Sequence, residues 1–163
     1  MQLSLHSDYA LRILMALAAS RSRLSVDEVA RQYGISRNHL AKVAQELQAQ
    51  GFVTTIRGRN GGMELAWDPD EIVVGDVIRR FERLDGFVGC FAAGGDCAVN
   101  GLCGLKGALT GALDAFLVHL DGYRLSELMP QREVFLARLN QHAHLADAAG
   151  ARSRLAPLPL PLP

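Results

Sequence analysis

Apolar residues recur at helical spacing through the first third of the chain and then switch to alternation. Tyr9, Ile13, Ala16 and Leu17 fall three or four residues apart or next to one another, a period that gathers them on one helix face. The pattern predicts a first helix over roughly 7–20, with Ser7 as N-cap and Asp8 in the first turn, where the helix dipole favours an acid. Ser25, with Glu28 three residues on, forms a capping box that opens a short second helix, and Gly34 suits its left-handed end. A third helix is predicted from Ser36, as its cap, to Gly51. Leu40, Val43, Ala44 and Leu47 form its inner face.

Beyond Gly51 the period changes. Phe52-Val-Thr-Thr-Ile56 alternates and is β-branched, so it predicts a strand. Met63-Glu-Leu-Ala-Trp67 is its expected partner, with the turn at Arg57-Gly-Arg-Asn-Gly-Gly62 between them. Helical spacing returns from Ile72 to Leu84. Residues 85–104 are glycine-rich and hold three cysteines. A long helix follows from Leu105 to Leu120, with Leu105, Leu109, Ala112, Leu113 and Phe116 at apolar spacing. Tyr123 to Ala143 is a weaker helical stretch broken at Pro130. The closing Ala-Pro-Leu-Pro-Leu-Pro-Leu-Pro run cannot be helical and predicts an extended, disordered tail.

The expected fold is mainly α: a winged helix-turn-helix with a two-stranded wing, a cysteine loop and a long C-terminal dimerisation helix. The units would be a DNA-binding domain at 1–84, a cluster-binding loop at 85–104, the dimerisation helix with its successor at 105–145, and the tail at 146–163. The apolar face from Leu105 to Phe116 is too large for solvent in a small domain, so a homodimer is expected.

Composition sharpens this picture in two places. No apolar run approaches the roughly 20 residues that span a bilayer, and no secretory pattern opens the chain, so a cytoplasmic location without membrane contact is expected. Net charge is zero over 163 residues, which by itself argues against nucleic acid. The distribution is uneven, however. Residues 1–65 carry eight Lys/Arg and five Asp/Glu, and residues 66–163 carry nine and twelve. Phosphate attraction needs a local basic face, not a basic whole.

Two constellations carry the chemistry. Ser36, Arg37, Asn38 and His39 crowd the start of the third helix, with Lys42 one turn later. These residue types bind base edges and phosphates, and they stand where a recognition helix enters the major groove of double-stranded DNA. Arg57 and Arg59 lie among the glycines of the hairpin turn, where backbone can approach DNA closely. The second constellation is Cys90-x6-Cys97-x5-Cys103. No pair has the CxxC spacing of a zinc knuckle, and an odd number disfavours a structural disulfide. Three thiolates on a glycine-rich loop can wrap an iron–sulphur cluster, which usually takes four protein ligands. The fourth would come from elsewhere or be exchangeable. Zinc and a redox thiol switch stay open on spacing alone.

Taken together, Ser-Asp-Tyr-Ala-Leu-Arg in the first helix, the Arg-Gly-x-x-Gly-Gly wing, three spaced cysteines and the long helix resemble the iron–sulphur winged-helix regulators. The resemblance covers about residues 1–140. It implies a DNA-binding repressor that senses nitric oxide, cluster damage lowering its affinity for the operator. Members concerned with cluster biogenesis place a histidine three residues after the last cysteine, where this chain has Lys106. Nitric-oxide-sensing members use an aspartate near the start of the first helix, where Asp8 stands, and there it reaches the cluster of the other subunit. The resemblance therefore implies a [4Fe-4S] cluster, with [2Fe-2S] as the alternative, held by Cys90, Cys97, Cys103 and Asp8. His6 is the nearby rival to Asp8. The wing departs from the pattern of many relatives at Arg59 and Asn60, which bears on operator sequence. Other functions in view are a redox- or cluster-status regulator, a thiol regulator without a cluster, and a metal-handling or electron-transfer protein that binds no DNA. No catalytic constellation is visible, and no enzyme activity is expected.

Overall fold

The computed structural model describes residues 3–58, 61–84, 98–99 and 102–154. In chain order these form α1 (Leu5–Ser20), α2 (Val26–Tyr33), α3 (Arg37–Ala49), β1 (Val53–Ile56), β2 (Gly62–Leu65), α4 (Val74–Phe81), α5 (Gly104–Asp121) and α6 (Arg132–Arg154). A 3-10 turn at Leu125–Leu128 precedes α6.

α1 lies at the centre. Ala10, Ile13, Leu14, Ala16, Leu17, Ala18 and Ala19 are all buried, and the small alanines let α3, α4 and α6 approach it. The helix starts one turn earlier than its pattern suggests. Ser4 is the cap, its hydroxyl accepting from the Ser7 N–H at 3.2 Å. Ser7 is not the N-cap; it sits inside the helix, fully buried, and its hydroxyl donates to Glu82 at 2.5 Å. The Ser4 N–H and hydroxyl also donate to Glu82, at 3.0 and 2.9 Å. Burial opposes the Glu82 charge, but these bonds outweigh it and hold its carboxyl below the usual range.

The second helix follows its signals. Ser25 accepts from the Glu28 N–H at 3.2 Å, Glu28 accepts from the Ser25 N–H at 2.7 Å, and Gly34 ends the helix at φ 65°. α3 buries Leu40, Val43, Ala44 and Leu47 and stops at Ala49, where the chain reverses through Gly51 at φ 77°. Ser36 stands at the cap position of α3, but its side chain makes no cap bond.

β1 and β2 pair antiparallel, Val53 opposite Leu65 and Ile56 opposite Gly62. Leu24 adds a single rung through two backbone bonds with Met63, of 3.0 and 2.8 Å. A Cβ at Gly62 would stand 3.0 Å from the Leu24 carbonyl oxygen, so any larger residue there would have to push the Leu24 backbone away by a few tenths of an ångström.

The helix expected over 72–84 is shorter, Val74–Phe81, because Glu82 turns back to extended backbone to reach α1. Asp121 of α5 forms a two-pronged ion pair with Arg79 and presses on Gly75, where a side chain would collide with its carboxylate. α5 otherwise buries only Leu113 and Leu117, against Ile78, while Leu105 is 60% and Val118 67% exposed. The 3-10 turn and Pro130 divide the weak helical stretch, and α6 then packs across α2 and α1, burying Leu139. α6 runs to Arg154, past position 146 where the disordered tail was expected. The Ala-rich segment there breaks no helix, and the first proline after it is Pro157. Residues 155–163 lie outside the described residues.

The capping box yields a pH-dependent expectation. The Ser25 backbone N–H, then its hydroxyl, holds the Glu28 carboxyl below its ordinary range. A depressed carboxyl stabilises the fold above its unfolded-state pKa, and that contribution is lost as pH falls through the folded-state value. Ser25→Ala should therefore cost about 1 kcal/mol at neutral pH and progressively less once pH drops below the ordinary glutamate range near roughly 4. Urea unfolding at several pH values measures both, and an unchanged midpoint at neutral pH contradicts the capping role.

Candidate DNA interface and cluster ligands

The turn between α2 and α3 is closed by the Ile35 N–H on the Ala30 carbonyl at 3.0 Å. It presents Ser36, Arg37, Asn38 and His39 as exposed residues at the start of α3, with Lys42 exposed on the next turn. Leu40 and Val43 of the same helix stay in the core, so the polar set is held by a rigid support. Among the described residues, the side chains of Asn38, His39 and Lys42 have no bonding partner. Arg37 is different. Its Nε lies 2.7 Å from Asp27 Oδ1, with the two side chains 62% and 59% exposed. An ion pair that wet is worth about 1 kcal/mol or less, so it holds Arg37 ready and can yield it to a phosphate.

The wing is built on glycine. Gly58 takes φ 115°, and the Gly61 N–H donates to its carbonyl at 2.9 Å. A Cβ at Gly61 would collide with the Ile56 carbonyl oxygen. Arg57 stands exposed at the root of this turn, without a partner among the described residues. Arg59 lies outside the described residues. The wing is tied to α3 by the Thr55 hydroxyl, 2.9 Å from Gln48 Oε1, and to α4 by Arg80, which donates to the Gln50 carbonyl and lies over Phe52. Those ties are invisible in the sequence, where neither Thr55 nor Gln48 carries a motif.

Of the cysteines, Cys90 and Cys97 lie outside the described residues. Cys103 is the N-cap of α5, with an exposed free thiol whose side chain makes no cap bond. Asp8 lies in the first turn of α1, its Oδ2 receiving Arg12 Nε at 2.8 Å and its side chain 38% exposed. The Arg12 guanidinium sits 5.4 Å above the Tyr33 ring, at the end of α2. The Tyr33 hydroxyl is buried without a partner, and burial pushes its pKa up to about 12. Among the described residues, no group of three or more His, Cys, Asp or Glu gathers to hold a metal. The donors that are described fit an iron–sulphur group one by one: a thiol free of backbone bonds, and a half-exposed carboxylate restrained only by a neighbour one turn away. His6 fits less well, since its Nε2 lies 2.7 Å from Glu46 Oε2 and its ring stacks on Phe81.

A recognition helix with unengaged polar side chains, followed by an arginine-rooted wing, defines a winged helix-turn-helix DNA-binding protein. Residues 3–131 match the Rrf2 family, described as an iron-dependent transcriptional regulator, and the chain belongs to that family. It is 44% identical over 135 residues to the HTH-type transcriptional regulator NsrR of Geobacillus kaustophilus, covering 81% of this chain and 92% of that one. It is also 44% identical over 136 residues to NsrR of Bacillus subtilis, covering 82% and 93%. Among solved structures it resembles CymR, the global cysteine regulator of B. subtilis, with TM-score 0.64 and 27% identity over 78% of this chain and 95% of that one. T. potens IscR shares the fold, with TM-score 0.62 and 24% identity over 79% and 86%. No helix among the described residues is long and apolar enough to cross a membrane.

Arg57→Ala should weaken operator binding by about 1–3 kcal/mol, and Lys42→Ala should lower the salt slope of binding by about 1. Fluorescence anisotropy across a salt series reads both. Parent-like affinity and slope in both variants would remove these side chains from the interface.

Proposed function

We propose that the chain is a cytoplasmic, homodimeric repressor that carries a [4Fe-4S] cluster on Cys90, Cys97, Cys103 and Asp8 and leaves its operator when nitric oxide attacks that cluster. The observation that carries the reading is the chain of contacts from Asp8 through Arg12 to Tyr33, which joins the candidate ligand to the first helix of the DNA-reading pair. The similarity to the NsrR regulators supports the same choice. A thiolate-bound cluster supplies iron that is open to small diatomic molecules.

The protein's own residues would convert that event into a change at DNA. Asp8 would be a harder and weaker partner for cluster iron than the three thiolates, and so the most readily exchanged of the four ligands. In the structure its carboxylate pairs with Arg12, one turn along α1. Arg12 then sits over the Tyr33 ring, at the residue where α2 gives way to the Gly34 turn and α3. Cys103, at the head of α5, joins the cysteine loop to the helix expected to pair the subunits. On α5, Leu105 and Ala112 lie open on one face, and a symmetric second copy covering them would set the spacing of the two recognition helices. No residue in this reading has a catalytic role.

Protein purified without oxygen should be coloured, hold about four irons and four sulphides per chain, and sediment as a dimer. Nitric oxide should lower operator affinity roughly a hundredfold, equivalent to about 3 kcal/mol. Asp8→Ala should keep its colour with a damped response, whereas Cys90→Ala, Cys97→Ala and Cys103→Ala should each lose the cluster or hold it poorly. A titration that bleaches the cluster while DNA affinity stays constant rejects the sensing role.

A further inference from the structure

We propose that His6 is a positioning residue that fastens the first turn of α1 to the recognition helix. The idea extends the reading above, because Asp8 lies two residues further along the same helix, but the contacts behind it are independent of any cluster. His6 Nε2 is 2.7 Å from Glu46 Oε2, a direct bond between α1 and α3. The imidazole stacks on Phe81 with ring centres 5.6 Å apart and planes 25° from parallel. Phe81 in turn packs on Phe52, at the root of the wing, with ring centres 6.2 Å apart. Glu82, the next residue, receives the Ser4 N–H and hydroxyl and the Ser7 hydroxyl. The turn of α1 that leads into Asp8 is therefore gripped by α3 and by the end of α4.

His6 and Asp8 belong to one continuous helix, so about 3 Å of axial rise separates them and little movement can be absorbed in between. A displacement at Asp8 must reach His6, and there it either carries Glu46 along or breaks the bond. Glu46 stands four residues after Lys42, on the same side of α3. A shift at Glu46 is thereby a tilt of the exposed Lys42 and of the α3 start. The same fastening matters with no signal present, because it sets how α3 is held.

The test uses the full chain with His6→Ala and with His6→Gln, whose side-chain amide can donate to the same Glu46 carboxylate. Operator and scrambled DNA are titrated with cluster-loaded and cluster-stripped protein. His6→Ala is expected to keep the parent's iron content and a cooperative unfolding transition while its preference for operator over scrambled DNA falls about tenfold. His6→Gln should recover most of that preference. In a Glu46→Gln background, His6→Ala should add little further loss, the mark of two residues acting through one bond. An unchanged preference in His6→Ala, or an equal loss in His6→Gln, overturns the proposal. If the chain holds no cluster, the cluster reading fails by itself, and the same preference ratios in cluster-free protein still decide the role of His6.

Discussion

The burial of α1 is the constraint on which the other elements depend. A helix whose buried positions include Ala10, Ile13, Leu14, Ala16, Leu17, Ala18 and Ala19 has apolar surface around most of its circumference. Burying each of the larger side chains contributes about 1.5–3 kcal/mol, and no single neighbour can cover them all. α3, α4, α6, the 3-10 turn and β2 therefore close around α1 from different sides. The consequence for function is direct. The helix bearing the candidate ligand Asp8 is also the helix against which the recognition helix packs, so neither can move alone. In an interior packed to crystal-like density, such an element shifts as a body or not at all.

Local signals made most of this legible in the sequence. The capping box at Ser25 and Glu28, the left-handed Gly34 and the apolar face of α3 each rest on residues within a few turns of one another, and each stands as expected. The same holds for the switch to alternation that marks the wing. What escaped were bonds between distant residues. Ser7 reads as a cap because serine commonly is one. Its actual partner, Glu82, lies 75 residues away, and only the folded chain brings them together. His6 reads as a spare ligand beside Asp8, yet its partner Glu46 is 40 residues distant. The candidate ligand set is the opposite case. Its motif is plain in the sequence, but Cys90 and Cys97 lie outside the described residues, so Cys103 and Asp8 alone connect it to the fold.

α5 shows the limit of what one chain can bury. It has 18 residues and buries two of them, although its sequence is dominated by Leu, Ala and Gly. The bidentate Arg79–Asp121 pair and the close approach at Gly75 fix its last turn to α4. Nothing comparable is described at its first turn, where Cys103 and Leu105 are exposed. An anchored tail and an open head leave the cysteine end of the helix as the part that a second subunit or a bound group could cover.

The zero net charge of the chain now has a physical resolution. Across the described residues, several cations are neutralised where they stand: Arg12 by Asp8, Arg23 by Glu64, and Arg79 by Asp121. Their charges cancel at short range and add little to the field outside. Lys42 and Arg57 have no such partner among the described residues, and both are exposed. Arg37 is held only by a solvent-exposed pair. Among the described residues, exposed cations without an ion pair also stand at Arg21, Arg83, Lys106 and Arg138, so the start of α3 and the root of the wing are among several places where positive charge is available to a phosphate. A chain with equal numbers of acids and bases can still bind DNA through Arg37, Lys42 and Arg57, because counterion release depends on the cations that meet phosphate and not on the sum over the molecule.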